Sequence, residues 1–386
     1  MFIIRQATID DMGELLKLSR LVHSFNLPQD KDALAAKIAR SRRSFAGQAA
    51  SEREREFVFV LEDTESRSVI GTSSVYSCIS WPGHPHLFFR MRKREHYSKD
   101  LGTGQLHVTI QLDTDESGPS EVGGLILAPG YRRHPERLGW MLSMVRFHFI
   151  GLHRRDFKQR ILAEMMGALT PDSRSSLWDY LGRRFINLSY TEADTFNQRS
   201  KEFITSLFPR TEIYLSLLPP EARRLVGTVG DETQPALRML ERIGFVNRDH
   251  VDPFDGGPYL EAQRDDIPVV RSTFARNLVS ARPKGRSLHA IVSAHGTHGF
   301  KATRSRVMLS QDGVWLPSET VGALSAKVGD RVGITLIDAH GQAVDAPAAR
   351  GAAKSGKRGA ATRPRPGGGP SAPMSAAPAR RAGRRR

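Results

Sequence analysis

Apolar and polar positions fall into blocks whose period changes along the chain. Residues 3–5 (IIR) form a short extended run. The Asp10, Asp11 pair then opens a helical stretch whose inward stripe is Met12, Leu15, Leu16 and Ser19. Leu34, Ala35 and Ile38 give 31–42 a second helical face. FVFVL (57–61) and VIGTSSVYSCI (69–79) flank the polar turn EDTESRS, which predicts an antiparallel hairpin. LHVTIQL (106–112) alternates as a strand, while the rest of 80–119 is mixed. A strand over 122–127, a loop over 128–137 and a helix over about 138–152 come next. In that helix Leu138, Met141, Leu142, Val145 and Phe149 recur at helical spacing and are expected to face a sheet. RILAEMMG (160–167) predicts another strand.

Two later stretches, SLWDYLGRRFIN (176–187) and ALRMLERIGFVN (236–247), each close on Phe, a β-branched residue and Asn. They read as two ordinary helix-to-strand transitions rather than an internal repeat. After residue 269 the texture becomes short strand-like runs among glycine-rich turns, with a helix only near 318–327. The expected organisation is an α/β (α+β) body over 1–269, a small β-rich subdomain over 270–342 and a tail over 343–386.

Composition narrows the class. The 386 residues are 39% hydrophobic, which fits a soluble globular protein. No run of about 18 apolar residues is present, so no membrane-spanning helix is expected. MFIIRQATIDDMGELL lacks a signal-peptide pattern, and a cytoplasmic location follows as the expectation. The single cysteine, Cys78, excludes an internal disulfide and a multi-cysteine metal site; no metal is expected.

The formal charge of +16 is uneven, because 343–386 holds eleven Lys/Arg against Asp345 alone, leaving +6 for residues 1–342. That Ala/Gly/Pro/Arg-rich tail has no apolar periodicity and is expected to be disordered. A nucleic-acid contact by phosphate neutralisation is open to it, but a solvated appendage is the favoured reading.

The densest chemistry lies in EVGGLILAPGYRRHPERLGWMLSMVRFHFI (121–150). A strand, a tight loop and a helix make an anion site, because the first amides of a helix lack intrahelical partners. Arg132, Arg133 and Arg137 add planar donor forks, and Leu138 and Gly139 would open the helix. The same arginines also suit a plain solvated loop, and Pro135 removes one donor. In HVDPFDGGPYLEA (250–262), Asp252 and Asp255 precede Gly256 and Gly257. The pair could grip a guanidinium or ammonium, or simply build the turn.

The element order (strand–helix, hairpin, strand, basic loop, helix, strand, then LERIGF) resembles the GNAT acyltransferase superfamily. The loop RRHPERLG departs from that superfamily's Arg/Gln-x-x-Gly-x-Gly/Ala pattern. SEVGGLILAPGYRR, GWMLSMVRFHF, ILAEMMG, SLWDYLGRRF, PALRMLERIGF and FDGGPYLEA together resemble the arginine N-succinyltransferase family from residue 1 to about 340. The resemblance implies a mixed, largely antiparallel sheet flanked by helices. It also implies transfer of a succinyl group from succinyl-CoA, a co-substrate and not a permanently bound cofactor, to the α-amino group of arginine. Leu125 matches the family's succinyl-CoA position. Amides around Leu125, Ile126 and Leu127 would polarise the thioester. Family members often form oligomers, and the sequence leaves that open.

Two departures stand out: Gly230 and Asp231 replace the family's proton-donor histidine, and Met166 replaces a charged residue. Candidate bases are therefore Glu121, Glu164 and His250, with His134 and Asp231 behind them. For Glu164 the competing reading is a structural ion pair with an arginine such as Arg146. Two other functions stay in view: an acyltransferase for another acyl-CoA or amine, and a non-catalytic binding protein whose basic tail contacts nucleic acid.

Overall fold

The structure, a computed structural model, describes residues 1–21, 27–170, 172, 174–197 and 199–345. The expectations placed on the tail from 346 onward lie outside the described residues.

The chain starts with β1 (Phe2–Gln6), whose Arg5 guanidinium donates to both carboxylate oxygens of Asp11 at 2.7 Å. Asp11 also accepts from the Thr8 amide at 2.7 Å, a reciprocal cap that fixes the entry to α1 (Met12–Ser19). In α2 (Lys31–Phe45), Asp30 caps the Ala33 amide, and Leu34 and Ile38 are buried on one face as their spacing predicts. β2 (Glu56–Asp63) and β3 (Ser68–Tyr76) form the expected hairpin. β4 (His86–Ser98) and β5 (Thr103–Asp115) form a second, longer one that includes the 106–112 run.

β6 (Ser120–Leu127), α3 (Leu138–Leu152) and β7 (Arg160–Glu164) follow the predicted strand–loop–helix–strand course. The helical stretch at 176–187 does not pass into a strand: a π-helical turn at Trp178–Gly182 leads through Arg183–Phe185 toward the helix Tyr190–Asn197. β8 (Ile213–Tyr214), β9 (Val246–Val251) and β10 (Pro258–Gln263) complete the centre. β11 (Phe274–Asn277), β12 (Leu288–Gly296), β13 (Gly299–Leu309), β14 (Val314–Trp315) and β15 (Arg331–Ile337) come last.

The described strands join in the order β11-β15-β12-β13-β1-β2-β3-β6-β7-β10-β9-β4-β5-β8, with β14 beside β13. Among the ladders between the described strands all are antiparallel except β6–β7. This is the mixed, largely antiparallel sheet flanked by helices that the sequence implied. The strands of 270–342 bury a core of their own around Val292, Val307 and Ile334, yet β13 pairs with β1, so they extend the same sheet. Ala343 bridges Ile337, so the sheet region reaches just past residue 342.

Helix α3 departs from the one-sided burial its spacing predicts. Nearly every side chain from Leu138 to Ile150 is buried, because the helix packs on β3 and β6 and also against β11, β15 and the helix Pro268–Ser272. His148 sits in that second contact, within 2.7 Å of both Thr335 Oγ1 and Ser293 Oγ. Among the described residues no helix is long and apolar enough to cross a membrane.

Candidate active site

The parallel pair parts almost as soon as it forms. β6 and β7 are in register only at Ser120↔Ile161 and Glu121↔Leu162. Beyond that point β7 stays with β10 and β6 stays with β3, so the edge of β6 from Val122 to Leu127 runs on without a strand beside it. The register of β6 on β3 slips between Thr72 and Ser74, opposite Gly124, whose φ of 58° is a glycine conformation. A bulge therefore sits where the gap opens, and Leu125, Ile126 and Leu127 follow it along the free edge. Leu125 and Leu127 pack on the core below α3, while Ile126 points to the opposite core.

At the far end of β6, Pro129–Tyr131 makes one tight turn, and Arg133 and Arg137 adopt left-handed backbone with φ of 61° and 56°. Arg137 is the N-cap of α3, so the amides of Leu138 and Gly139 stand in a first turn that has no preceding carbonyls to bind. Arg132 approaches Glu232 at 3.2 Å and donates to the Leu127 carbonyl at 3.4 Å; Arg133 is exposed. The Arg137 guanidinium is engaged elsewhere than the sequence reading placed it. It donates to the His340 carbonyl at 2.5 Å and lies over the Trp140 ring.

Strand alternation decides which side chains meet on the other face of the gap. Ile161 and Ala163 join the core beneath α3, so Leu162 and Glu164 point away from it. Cross-strand register extends this face as a row, Glu56↔Tyr76↔Glu121↔Leu162, with Glu164↔Tyr259 two residues further on. Glu56, Tyr76, Glu121, Glu164, Tyr259 and α2 enclose a cavity of about 410 Å³, with His86, Lys201 and Asp252 also in its wall.

Charge in this cavity is organised in two groups. In the first, Lys37 donates to Tyr76 Oη at 2.6 Å and to Glu56 at 3.1 Å, and Arg40 takes the other Glu56 oxygen at 2.8 Å. Burial opposes the Lys37 charge, but Tyr76 and Glu56 more than offset it and raise its pKa. Burial pushes the Tyr76 hydroxyl up to about 12. With Lys37 4% and Glu56 8% exposed, this is a buried ion pair, and removing one partner strands the other. Lys37→Met is expected to cost about 3 kcal/mol in urea unfolding, within the range for breaking such pairs. A loss below about 0.5 kcal/mol, a typical surface-substitution effect, would mean that Arg40 alone suffices.

The second group is poised for proton exchange. Glu164 is 28% exposed and lies 3.4 Å from His86 Nδ1. Burial, reinforced by Glu121 and Asp252, raises its pKa well above the carboxylate range. Burial takes the His86 imidazole down to about 3, so it stays neutral. Lys201 is lowered by burial, against the fields of Glu164, Glu121 and Asp252. The Glu164–Arg146 ion pair that competed in the sequence reading does not form. Arg146 is buried on α3, donates to Ser143 Oγ at 2.8 Å, and has Glu121 as its neighbouring acid; burial brings it down to about 9.

Of the two readings open for Asp252 and Asp255, a clamp or a turn, the hydrogen bonds build the turn. Asp252 Oδ1 accepts from the amides of Phe254 and Asp255, and Oδ2 accepts from Tyr259 at 2.7 Å. Asp255 accepts from the Gly167 and Gly257 amides at 2.9 and 2.7 Å. Asp252 reaches the cavity wall, whereas Asp255, Gly256 and Gly257 lock the end of β7 to β10. His250 packs at a tilt on Phe88 with centroids 4.1 Å apart, outside the cavity wall, because β9 carries it beside β4. His134 packs on Phe2, and Asp231 is exposed. Gly230 follows the Gly167↔Val229 bridge, and a Cβ there would meet nothing closer than the Gly167 carbonyl at 3.4 Å. A side chain would thus fit where this chain has none. Among the described residues no group of three or more His, Cys, Asp or Glu could hold a metal ion.

Sequence reasoning found Glu121 and Glu164 but missed Lys37, Tyr76, His86 and Lys201. A signal existed for Tyr76, a polar ring in phase with the inward face of an apolar strand. Lys201 gave none.

A mixed sheet whose parallel strands separate at a glycine bulge, with a helix N-terminus beyond it and an ionisable cavity across the sheet, is the frame of an acyl-CoA-dependent N-acyltransferase. The family model described as arginine N-succinyltransferase beta subunit matches residues 2–269, and the chain belongs to that family. The arginine N-succinyltransferase of Yersinia pestis (strain Pestoides F) is 34% identical over 346 residues, covering 86% of this chain and 97% of that one. Its counterpart in Citrobacter koseri is 31% identical over 344 residues, covering 88% and 99%. The solved arginine/ornithine succinyltransferase subunit AI from Pseudomonas aeruginosa superposes with a TM-score of 0.72 at 25% identity, over 87% of this chain and 98% of that one.

Proposed function

We propose that this chain transfers the succinyl group of succinyl-CoA to the α-amino group of arginine. The observation that carries the reading is Glu164, a carboxylate of raised pKa opening into a cavity beside the point where β6 and β7 part. The thioester would lie along the free edge of β6, where amides after the Gly124 bulge polarise its carbonyl oxygen. The pyrophosphate would rest on the first turn of α3, at Leu138 and Gly139, with Arg132 and Arg133 supplying charge.

Glu164 takes a proton from the arginine ammonium, and the neutral amine attacks the thioester carbon. A C–N bond forms, the C–S bond breaks, and the electron pair leaves on sulfur as the CoA thiolate. As the amide forms, the nitrogen sheds its second proton, which passes through water to the thiolate. The proton held on Glu164 leaves to bulk water and restores the base, a route that does not need the histidine replaced by Gly230. Succinyl-CoA is consumed as a co-substrate, and a cytoplasmic setting supplies both substrates.

Purified protein with succinyl-CoA and arginine should release free thiol. No release above the protein-free rate with arginine, ornithine or a panel of small amines would end the proposal. Replacing Arg132 and Arg133 together by alanine is expected to raise KM for succinyl-CoA far more than KM for arginine, with about 1.5–3 kcal/mol lost per charged hydrogen bond. Equal changes in both constants would place the pyrophosphate elsewhere.

A further inference from the structure

Three cations, Lys37, Arg40 and Lys201, line the cavity, and they are not equivalent. Lys37 and Arg40 both hydrogen-bond Glu56. The Lys201 ammonium makes no hydrogen bond or ion pair among the described residues, although its backbone carbonyl accepts from the Thr205 amide at 3.3 Å. It meets Glu164, Glu121 and Asp252 only through their longer-range fields. The Asp252 oxygens are already occupied by two backbone amides and Tyr259, so that acid is a poor direct partner. Lys201 is the residue just before the helix Glu202–Leu207, and from this part of the chain it lines the cavity together with Asn197. A half-buried ammonium in a cavity wall, with no direct acceptor on the protein, is open to pairing with an anionic group of a ligand.

We infer that Lys201 is a carboxylate-recognition site that selects substrates bearing a carboxylate close to the reacting centre. The inference rests on the acyl-transfer reading for which molecules enter the cavity. Two sources bring that chemistry: the terminal carboxylate of the succinyl donor and the α-carboxylate of the amino acid. Either would pair with the ammonium directly, and more strongly once Glu164 has been neutralised by the proton it accepts. Lys201 reads the substrate; it does not take part in bond making.

The test compares the wild-type chain, Lys201→Met and Lys201→Arg on two matched pairs. Succinyl-CoA against butyryl-CoA removes the donor carboxylate; arginine against agmatine removes the amine's. Each pair is measured as kcat/KM and, without turnover, as calorimetric Kd. In the wild type the carboxylate-bearing member of one pair should be favoured roughly ten- to hundred-fold, as expected of a charge-assisted hydrogen bond. Lys201→Met should bring that ratio within about threefold of unity while the other ratio holds, and Lys201→Arg should restore part of it. The pair that responds identifies the source. If Lys201→Met weakens all four ligands alike and leaves both ratios intact, the inference fails. Wild-type chain with no turnover but ligand ratios that depend on Lys201 would instead overturn the transfer reading and leave this site standing.

Discussion

Glu164→Gln is expected to lower kcat by roughly two to four orders of magnitude while KM for succinyl-CoA changes little, as removal of a general base should. Glutamine keeps the shape and the contact near His86 Nδ1, 3.4 Å from Glu164 Oε1, but it cannot accept the ammonium proton. The pH dependence gives a sharper test. Burial, with Glu121 and Asp252, holds the carboxyl protonated well above its ordinary range. Below that raised pKa the base is occupied, so kcat should climb with pH through it and level off above. In the glutamine variant that limb should vanish from whatever rate remains.

Stability moves in the opposite sense. Between the ordinary pKa and the raised one, the folded chain holds a proton that the unfolded chain has released. Stability contributed by this group therefore falls as pH rises through that window. Glu164→Gln should consequently melt higher than wild type at neutral pH, a gain in stability with a loss of function. A variant that keeps its acid limb and loses less than tenfold in kcat would transfer the base role elsewhere.

Gly257→Ala is expected to cost about 3 kcal/mol or more, at the upper end for overpacking, in urea unfolding. An added Cβ would lie 1.9 Å from the Met165 carbonyl and 2.6 Å from the Gly167 amide, both backbone atoms that cannot rotate aside. Relief requires the end of β7 to move off β10, which breaks the Asp255 bonds to the Gly167 and Gly257 amides. Glu164 pairs with Tyr259 at this junction, so activity should fall together with stability. An alanine variant that unfolds at the wild-type urea concentration would show that the turn has slack the packing denies.

What could be read from the sequence follows from how local each signal is. The strand, loop and α3 were legible because an apolar run, Pro129 and side chains at helical spacing all lie within 30 residues of one another. The outer burial of α3 was not, since the strands that cover it come more than 100 residues later. β4 was missed because only its first four residues are fully buried; RMRKREHYS continues the strand as an increasingly exposed charged run. The corner proposed for acyl-CoA, where β6 hands over to α3, was legible as a strand, a basic loop and a helix start. Half of the cavity was not: Glu121 and Glu164 could be picked out singly, but strand register is what brings Tyr76 beside them, and His86 and Lys201 arrive from unrelated segments. The Asp252–Asp255 pair shows the converse situation. Its spacing advertised binding, but every carboxylate oxygen is engaged by a backbone amide or by Tyr259.

Strand β1 lies between β2 and β13, with Ile4 opposite both Leu61 and Ala302. One of its flanks can be covered soon after it leaves the ribosome, but the other must wait for about 300 further residues. At ordinary rates of translation that is roughly 15–60 s, during which a nascent chain carries a bare strand edge that other chains can pair with. Yield in a cell should therefore respond to elongation speed and to holding chaperones more than to the melting point of the finished enzyme. Ribosomes stalled before the codons of β13 would release aggregation-prone fragments, even though those fragments already contain every residue of the cavity.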